Sequence, residues 1–265
     1  MKIRVLGTLT VLACALPMMA QEGAPAGGRG RGPAAPPTWV APPRIPDQPQ
    51  FGKNAGKPDL GGKGMWGVPY VTDMAKTTGG VEWAQDVPFT PKSAEIFKHR
   101  VDTLSKEDPE GYCLPPGVPR MMYTPYPAEI LQMQDRIVFI YEGGAHVWRN
   151  IWLDGRKHTD DPNPTYLGES VGHWEGDTLV VDVIGFNERT WLDFAGHPHG
   201  EKLHVTERYS RPSLNVLHYE ATIEDPEFYT KPWTVYQNIA WRPGQELLEY
   251  ICQENNRDLQ HLVGQ

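Results

Sequence analysis

Short apolar runs with two-residue alternation, separated by turn residues, fill the chain from residue 121 onward. Arg136–Tyr141 is rich in Ile and Val, and His146–Leu153 alternates. Ser170–Trp174, Leu179–Ile184, Leu203–Tyr209, Val216–Ile223, Thr234–Trp241 and Glu246–Ile251 follow, with shorter stretches at Met121–Tyr123 and Ile130–Gln132. Period-two alternation marks strands with one buried face. Asp154-Gly155, Gly176-Asp177 and Pro243-Gly244 are turn dipeptides suited to hairpins. The pattern predicts an all-β domain, an antiparallel β-barrel or sandwich, of which a lipocalin-like barrel is one form. One helix is expected: Thr90 can cap it and Pro91 suits its first position. Ala94, Phe97, Val101 and Leu104 recur at helical spacing, and the helix should stop before Asp108-Pro109. Helical turns are expected around Glu188–Phe194 and Asn256–Leu262. No βαβ alternation or Gly-x-Gly-x-x-Gly after a strand occurs, so a dinucleotide fold is not expected.

The N-terminal fifth has a different texture. Lys2 and Arg4 precede a short apolar run, Val5–Leu16, and Ala20-Gln21 is a plausible cleavage point, so residues 1–20 read as a signal peptide. The run is too short to span a bilayer. Val11-Leu12-Ala13-Cys14 loosely fits a lipobox, which keeps lipoprotein processing at Cys14 open as the lesser alternative. Gln21–Gln50 holds 8 Pro, 5 Gly and 5 Ala. Residues 21–58 therefore read as a disordered Pro/Gly/Ala-rich tether, and 59–265 as a single β-rich domain. A periplasmic or extracellular location follows. Once Cys14 leaves, Cys113 and Cys252 remain, and two cysteines in an exported chain favour a disulfide.

Composition narrows the function. Glycine and proline (27 and 26 of 265) make up one residue in five, which argues against a helix bundle. The formal charge of −8 becomes −10 without the signal, and neither value favours a nucleic-acid partner. No Walker A or Cys-x-x-Cys-His occurs, and no cofactor is expected. Gly168-Glu169-Ser170-Val171-Gly172 spells Gly-x-Ser-x-Gly, but a nucleophile elbow needs a strand, a turn and a helix, and here a hairpin follows.

Strand parity picks out candidate chemistry. Leu203, Val205, Glu207, Tyr209 and Arg211 share a face whose apolar members point inward, which places the Glu207 carboxylate on an apolar face. Arg149 shares a face with Val147, Ile151 and Leu153, although Trp148 and Trp152 compete for the inward direction. Asp182, with Thr178, Val180 and Ile184, is expected to join the same interior. A polar cluster of Arg149, Asp182 and Glu207, with His173 and His199, suits a small-molecule site. Glu207 or Asp182 would act as base and His199 as acid, while Arg149, His173, Trp174 and Trp191 would bind ligand. An ion-pair network that merely fixes strand register explains the same residues. The tryptophans admit a core reading as well as a pocket for sugars, phenols or other rings. His197-Pro198-His199-Gly200-Glu201 with His204 fits no common ligand spacing, so no metal is expected.

Cys113-Leu114-Pro115-Pro116-Gly117-Val118-Pro119-Arg120, Asp154-Gly155-Arg156, the run from Gly172 to Asp182 (GHWEGDTLVVD) and Pro198-His199-x-Glu201 resemble an uncharacterised family of exported bacterial proteins. The resemblance covers roughly Pro58 to the C-terminus. It implies export and a single domain, and no particular activity. Gly200 stands where the family pattern has Ser or Thr. The expected function is an exported protein binding a small organic ligand in a polar-lined barrel cavity. A lyase, isomerase or hydrolase on the same scaffold is the alternative, and an envelope-associated interaction protein is a third. No nucleic acid and no transmembrane span are expected.

Overall fold

The computed structural model describes residues 39–78, 81–82, 86–144, 147–254 and 256. The signal segment, Cys14, His146 and the turn expected beyond Asn256 lie outside them. In chain order the strands and the helix are β1 (Gly64–Gly67), β2 (Thr77–Thr78), β3 (Val81–Glu82), α1 (Pro91–Asp102), β4 (Ala128–Gln132) and β5 (Arg136–Tyr141). Then come β6 (Trp148–Trp152), β7 (Glu169–Glu175), β8 (Thr178–Ile184), β9 (His204–Ser213), β10 (Val216–Glu224) and β11 (Trp233–Pro243). Nine of these close a barrel in the order β1-β11-β10-β9-β8-β7-β6-β5-β4, with β4 returning to β1, while β2 and β3 form a separate hairpin.

Alternation builds the wall. Along β9 and β10 every second residue is buried, and Val205, Tyr209, Leu217, Tyr219, Ala221 and Ile223 face the core with Phe139, Ile151, Val181 and Val235. The Gly176-Asp177 turn joins β7 to β8 as expected: Glu175 pairs with Thr178, and Gly176 takes φ 60°, a left-handed conformation that glycine adopts without a side-chain clash. Gly172 is needed for proximity, since a Cβ there would lie 2.7 Å from Ile151 Cγ2.

The expected β-barrel is borne out, and four details are corrected. First, the barrel is mixed. β6 and β7 run parallel, paired through Ile151↔Ser170 and Trp152↔Val171, so Asp154-Gly155 opens a crossover rather than a hairpin. Second, Glu246–Ile251 forms no strand. The edge it would have paired with is taken by β1, whose Gly64, Met65, Trp66 and Gly67 pair with β11. Third, Met121–Tyr123 falls in a 3-10 turn, Arg120–Met122, and residues 188–194 form bends and turns without helix. Met121, Met122 and Tyr123 are buried, and Gln237 on β11 donates to the Met122 carbonyl at 3.0 Å, so this turn stops one mouth of the barrel. Fourth, packing begins before residue 59. Trp39 Nε1 donates to the Pro212 carbonyl, Arg44 pairs with Asp177, and buried Asn54 donates to the Met133 carbonyl.

The helix is capped as expected, with Thr90 Oγ1 accepting from Ser93 N at 3.3 Å. It buries Ser93, Ile96, Phe97 and Arg100 to varying degrees and leaves Ala94 and Val101 exposed, and Leu104 lies beyond its end, also exposed. Phe97 packs on His197 with centroids 4.5 Å apart, and the Arg100 guanidinium lies 4.3 Å from the Trp191 ring centre. Cys113 and Cys252 form a disulfide with Cα atoms 5.6 Å apart. Among the described residues, no helix is long and apolar enough to cross a membrane.

Candidate functional site

A buried polar network lies inside the barrel. Glu207, 0 % exposed, accepts from Arg149 Nη2 at 2.5 Å and from the Tyr209 and Tyr219 hydroxyls at 2.8 Å each. Arg149 Nε donates to Ser170 Oγ at 2.9 Å across the β6–β7 seam. Arg149 and Glu207 therefore meet as parity predicts. Burial, and then the Glu207 charge, push the Tyr209 and Tyr219 hydroxyls well above their ordinary range, so both stay donors. The buried Tyr141 hydroxyl lies beside the Arg149 guanidinium, which opposes the rise in pKa that burial imposes on it. Phe139, Tyr141, Tyr209 and Tyr219 fill the space around the network, and ring centroids 5.0–6.1 Å apart close it. Ser170 sits within β7 and is tied to Arg149, a position unlike a nucleophile elbow.

The other candidates lie elsewhere. Asp182 faces outward, with its side chain 44 % exposed, because Leu179, Val181 and Val183 supply the buried parity of β8. It joins a surface relay. His158 on the crossover bonds Asp182 Oδ1 at 2.7 Å and Glu169 at 3.2 Å, and His204 bonds Asp182 Oδ2 at 2.8 Å and Glu224 at 3.2 Å. An imidazole between two carboxylates can donate from both nitrogens only when doubly protonated. Partial burial opposes that charge on His204, but hydrogen bonds to Asp182 and Glu224 win and raise its pKa. Burial likewise opposes ionisation of Asp182, yet the two imidazoles hold its carboxyl low.

His199 is buried, with Nε2 2.7 Å from Thr190 Oγ1 and Nδ1 3.2 Å from the Gly200 carbonyl. Burial lowers its pKa to about 4, so it is neutral near pH 7. His173 is 63 % exposed and bonds Glu175 on the outer surface. Trp174 donates to Asn54 Oδ1 at 3.0 Å, and Trp191 lies beneath Arg100. The expected constellation thus divides into separate groups with separate partners. Asp73, Asp193 and His197 bring one possible ligand atom each within 4.8 Å of one another. Asp193 is nevertheless committed: its two oxygens accept from Met74 N, Gly196 N, His197 N and His197 Nδ1. That bonding locks the 193–197 loop and leaves the carboxylate few free lone pairs.

A larger opening lies at the stopped mouth. A cleft of about 780 Å³ is bounded by Tyr70, Phe194, Tyr126 and Tyr250, with Asp108, Glu110 and Arg120 among its polar lining. Arg120 is buried and bidentate on Asp108 (2.8 and 2.6 Å), and its Nη2 also lies 2.7 Å from Glu110 Oε2. Glu110 stays 22 % exposed. Burial raises its carboxyl pKa, outweighing the lowering by Arg120. Tyr70 meets Phe194 edge-on at 5.8 Å, and the Tyr126 hydroxyl donates to that of Tyr250 at 2.9 Å. The disulfide and the bond from Leu248 N to Glu142 (2.7 Å) hold the C-terminal segment that forms one wall.

No protein family, curated protein or solved structure matches the chain. The functional reading therefore rests on geometry. A concave site with aromatic walls, a few convergent polar groups and a displaced carboxyl pKa is the usual form of a small-molecule site. Sequence reasoning passed over Glu110, using Asp108-Pro109 only as a helix stop. The available signal was the company it keeps: Glu110, Tyr112, Cys113 and Arg120 fall within eleven residues of one another.

Proposed function

We propose that the chain is an exported protein that binds a small, ring-bearing organic molecule in the cleft at the stopped mouth of the barrel. One observation carries the reading: the cleft sets four aromatic rings around a half-committed carboxyl, Glu110, whose orientation Arg120 fixes. Tyrosines bind rings through their faces and polar substituents through their hydroxyls. The resemblance to exported proteins and the Cys113–Cys252 disulfide support the location. The barrel interior is a poorer host, because Glu207 and its tyrosines are sealed and paired.

A second reading has its own support. The raised Glu110 pKa brings both protonation states nearer neutral pH, which suits acid/base work by a lyase, isomerase or hydrolase on a molecule bound there. A thermal-shift screen with phenols and hydroxybenzoates tests the binding. A binder raises Tm in the wild type, and Tyr70→Ala and Glu110→Gln each abolish the shift. No stabilising compound, or a shift that survives both substitutions, refutes the site.

A further inference from the structure

A second opening lies outside the barrel wall. β6 and β7 pair only at Ile151↔Ser170 and Trp152↔Val171. Ahead of those pairs the strands part, and the crossover supplies the opposite bank. The groove, about 650 Å³, is lined by Trp148, Asn150, Asn163, Thr165 and Tyr166, with Arg149 and Ser170 also contributing. Its volume lies within the roughly 300–1,000 Å³ typical of small-molecule sites.

The lining has an unusual balance. Trp148 is 65 % exposed, a large apolar ring left at the edge of a groove whose lining mixes apolar side chains such as Val147, Pro162 and Leu167 with polar ones. Among the described residues, no ring or cation stacks on it, and nothing hydrogen-bonds the side-chain amides of Asn150 or Asn163. The neighbouring charges are largely committed. Arg149 is held by Glu207 and Ser170, and Glu169 by Thr159 and His158. Arg156 pairs with Asp154 and, like Arg136, covers Trp152, so that ring is not free to stack. Exposed Asp161 is the remaining charge in the lining.

An aromatic face beside free amides and hydroxyls, with little uncommitted charge, matches a neutral cyclic polyol. The ring stacks on the apolar C–H face of a sugar, while an amide donates to one hydroxyl and accepts from its neighbour. A charged ligand would find only Asp161 to answer it. We infer that this groove binds a neutral saccharide chain, with Trp148 as the stacking platform and Asn150 and Asn163 reading its hydroxyls. The inference is independent of the cleft described above.

Affinity electrophoresis through gels carrying mixed-linkage β-glucan, arabinoxylan, galactomannan or glycol chitin tests it. At least one of these should retard the wild type. Trp148→Ala should weaken that binding at least tenfold with Tm unchanged, since the side chain projects from the surface, and Asn150→Ala should weaken it several-fold. Tyr70→Ala, in the cleft, should leave it intact. The inference is overturned if none of the four polysaccharides retards the wild type, if Trp148→Ala binds as well as wild type, or if Tyr70→Ala alone abolishes retardation.

Discussion

Removing either charge of the sealed Arg149–Glu207 pair should be far more harmful than removing both. In Arg149→Met, Glu207 keeps its two tyrosine donors but loses its counter-ion at a fully buried position. In Glu207→Gln, the tyrosines still have an acceptor, but the guanidinium is stranded. Breaking a buried pair from one side costs about 3–5 kcal/mol, so each single variant should lose that much. The double variant Arg149→Met/Glu207→Gln strands no charge. Its main defect is an amide N–H without an acceptor, about 1–3 kcal/mol. A double-mutant cycle should then return a coupling energy of about 3 kcal/mol or more, measured by urea unfolding with the disulfide intact. Single losses below about 1 kcal/mol, or losses that simply add, would refute the claim that the two groups form one sealed pair.

Other expectations follow from the same structure. The Cys113–Cys252 link closes a loop of 139 residues, for which chain entropy gives about 5 kcal/mol. Reduction or Cys252→Ser should therefore lower the urea midpoint sharply, and an unchanged midpoint would contradict this. His199, with a folded pKa of about 4, lets the unfolded chain bind the extra proton. Its contribution is intact above pH 6.5 and falls away from there down to pH 4, by about 3 kcal/mol in all. His199→Gln should flatten that part of the stability–pH curve, and an unaltered slope would count against the assignment. His204 carries the opposite sign: its raised pKa gives stability that is full below pH 6.5 and lost as pH rises through the folded value. Proton NMR should place its midpoint above 6.5, and Asp182→Asn should pull it down. A midpoint at or below 6.5 in the wild type would break the relay account.

The strands were legible because most barrel segments bury one face, and alternation records that directly. The same parity put Glu207 and Arg149 inside. It misplaced Asp182 because β8 carries apolar residues at both parities; Val180 is nearly as well covered as Leu179, Val181 and Val183. β1 escaped notice because glycines bound it and its partner, β11, lies far along the chain. The parallel β6–β7 pair was hidden by a turn dipeptide that serves a crossover as readily as a hairpin. The cleft was invisible for a related reason. Tyr70, Glu110, Phe194 and Tyr250 come from four separate segments outside the barrel strands, and no local period reports which segments a closed barrel gathers at one mouth.

The central claim is that ligand chemistry sits at the stopped mouth of the barrel and not within it. Amide chemical-shift mapping with the most stabilising compound of the thermal screen tests this most directly. Shifts should concentrate at Tyr70, Glu110, Phe194 and Tyr250, and Glu110→Gln should weaken them. Shifts confined to the strands around Arg149 and Glu207 would contradict it.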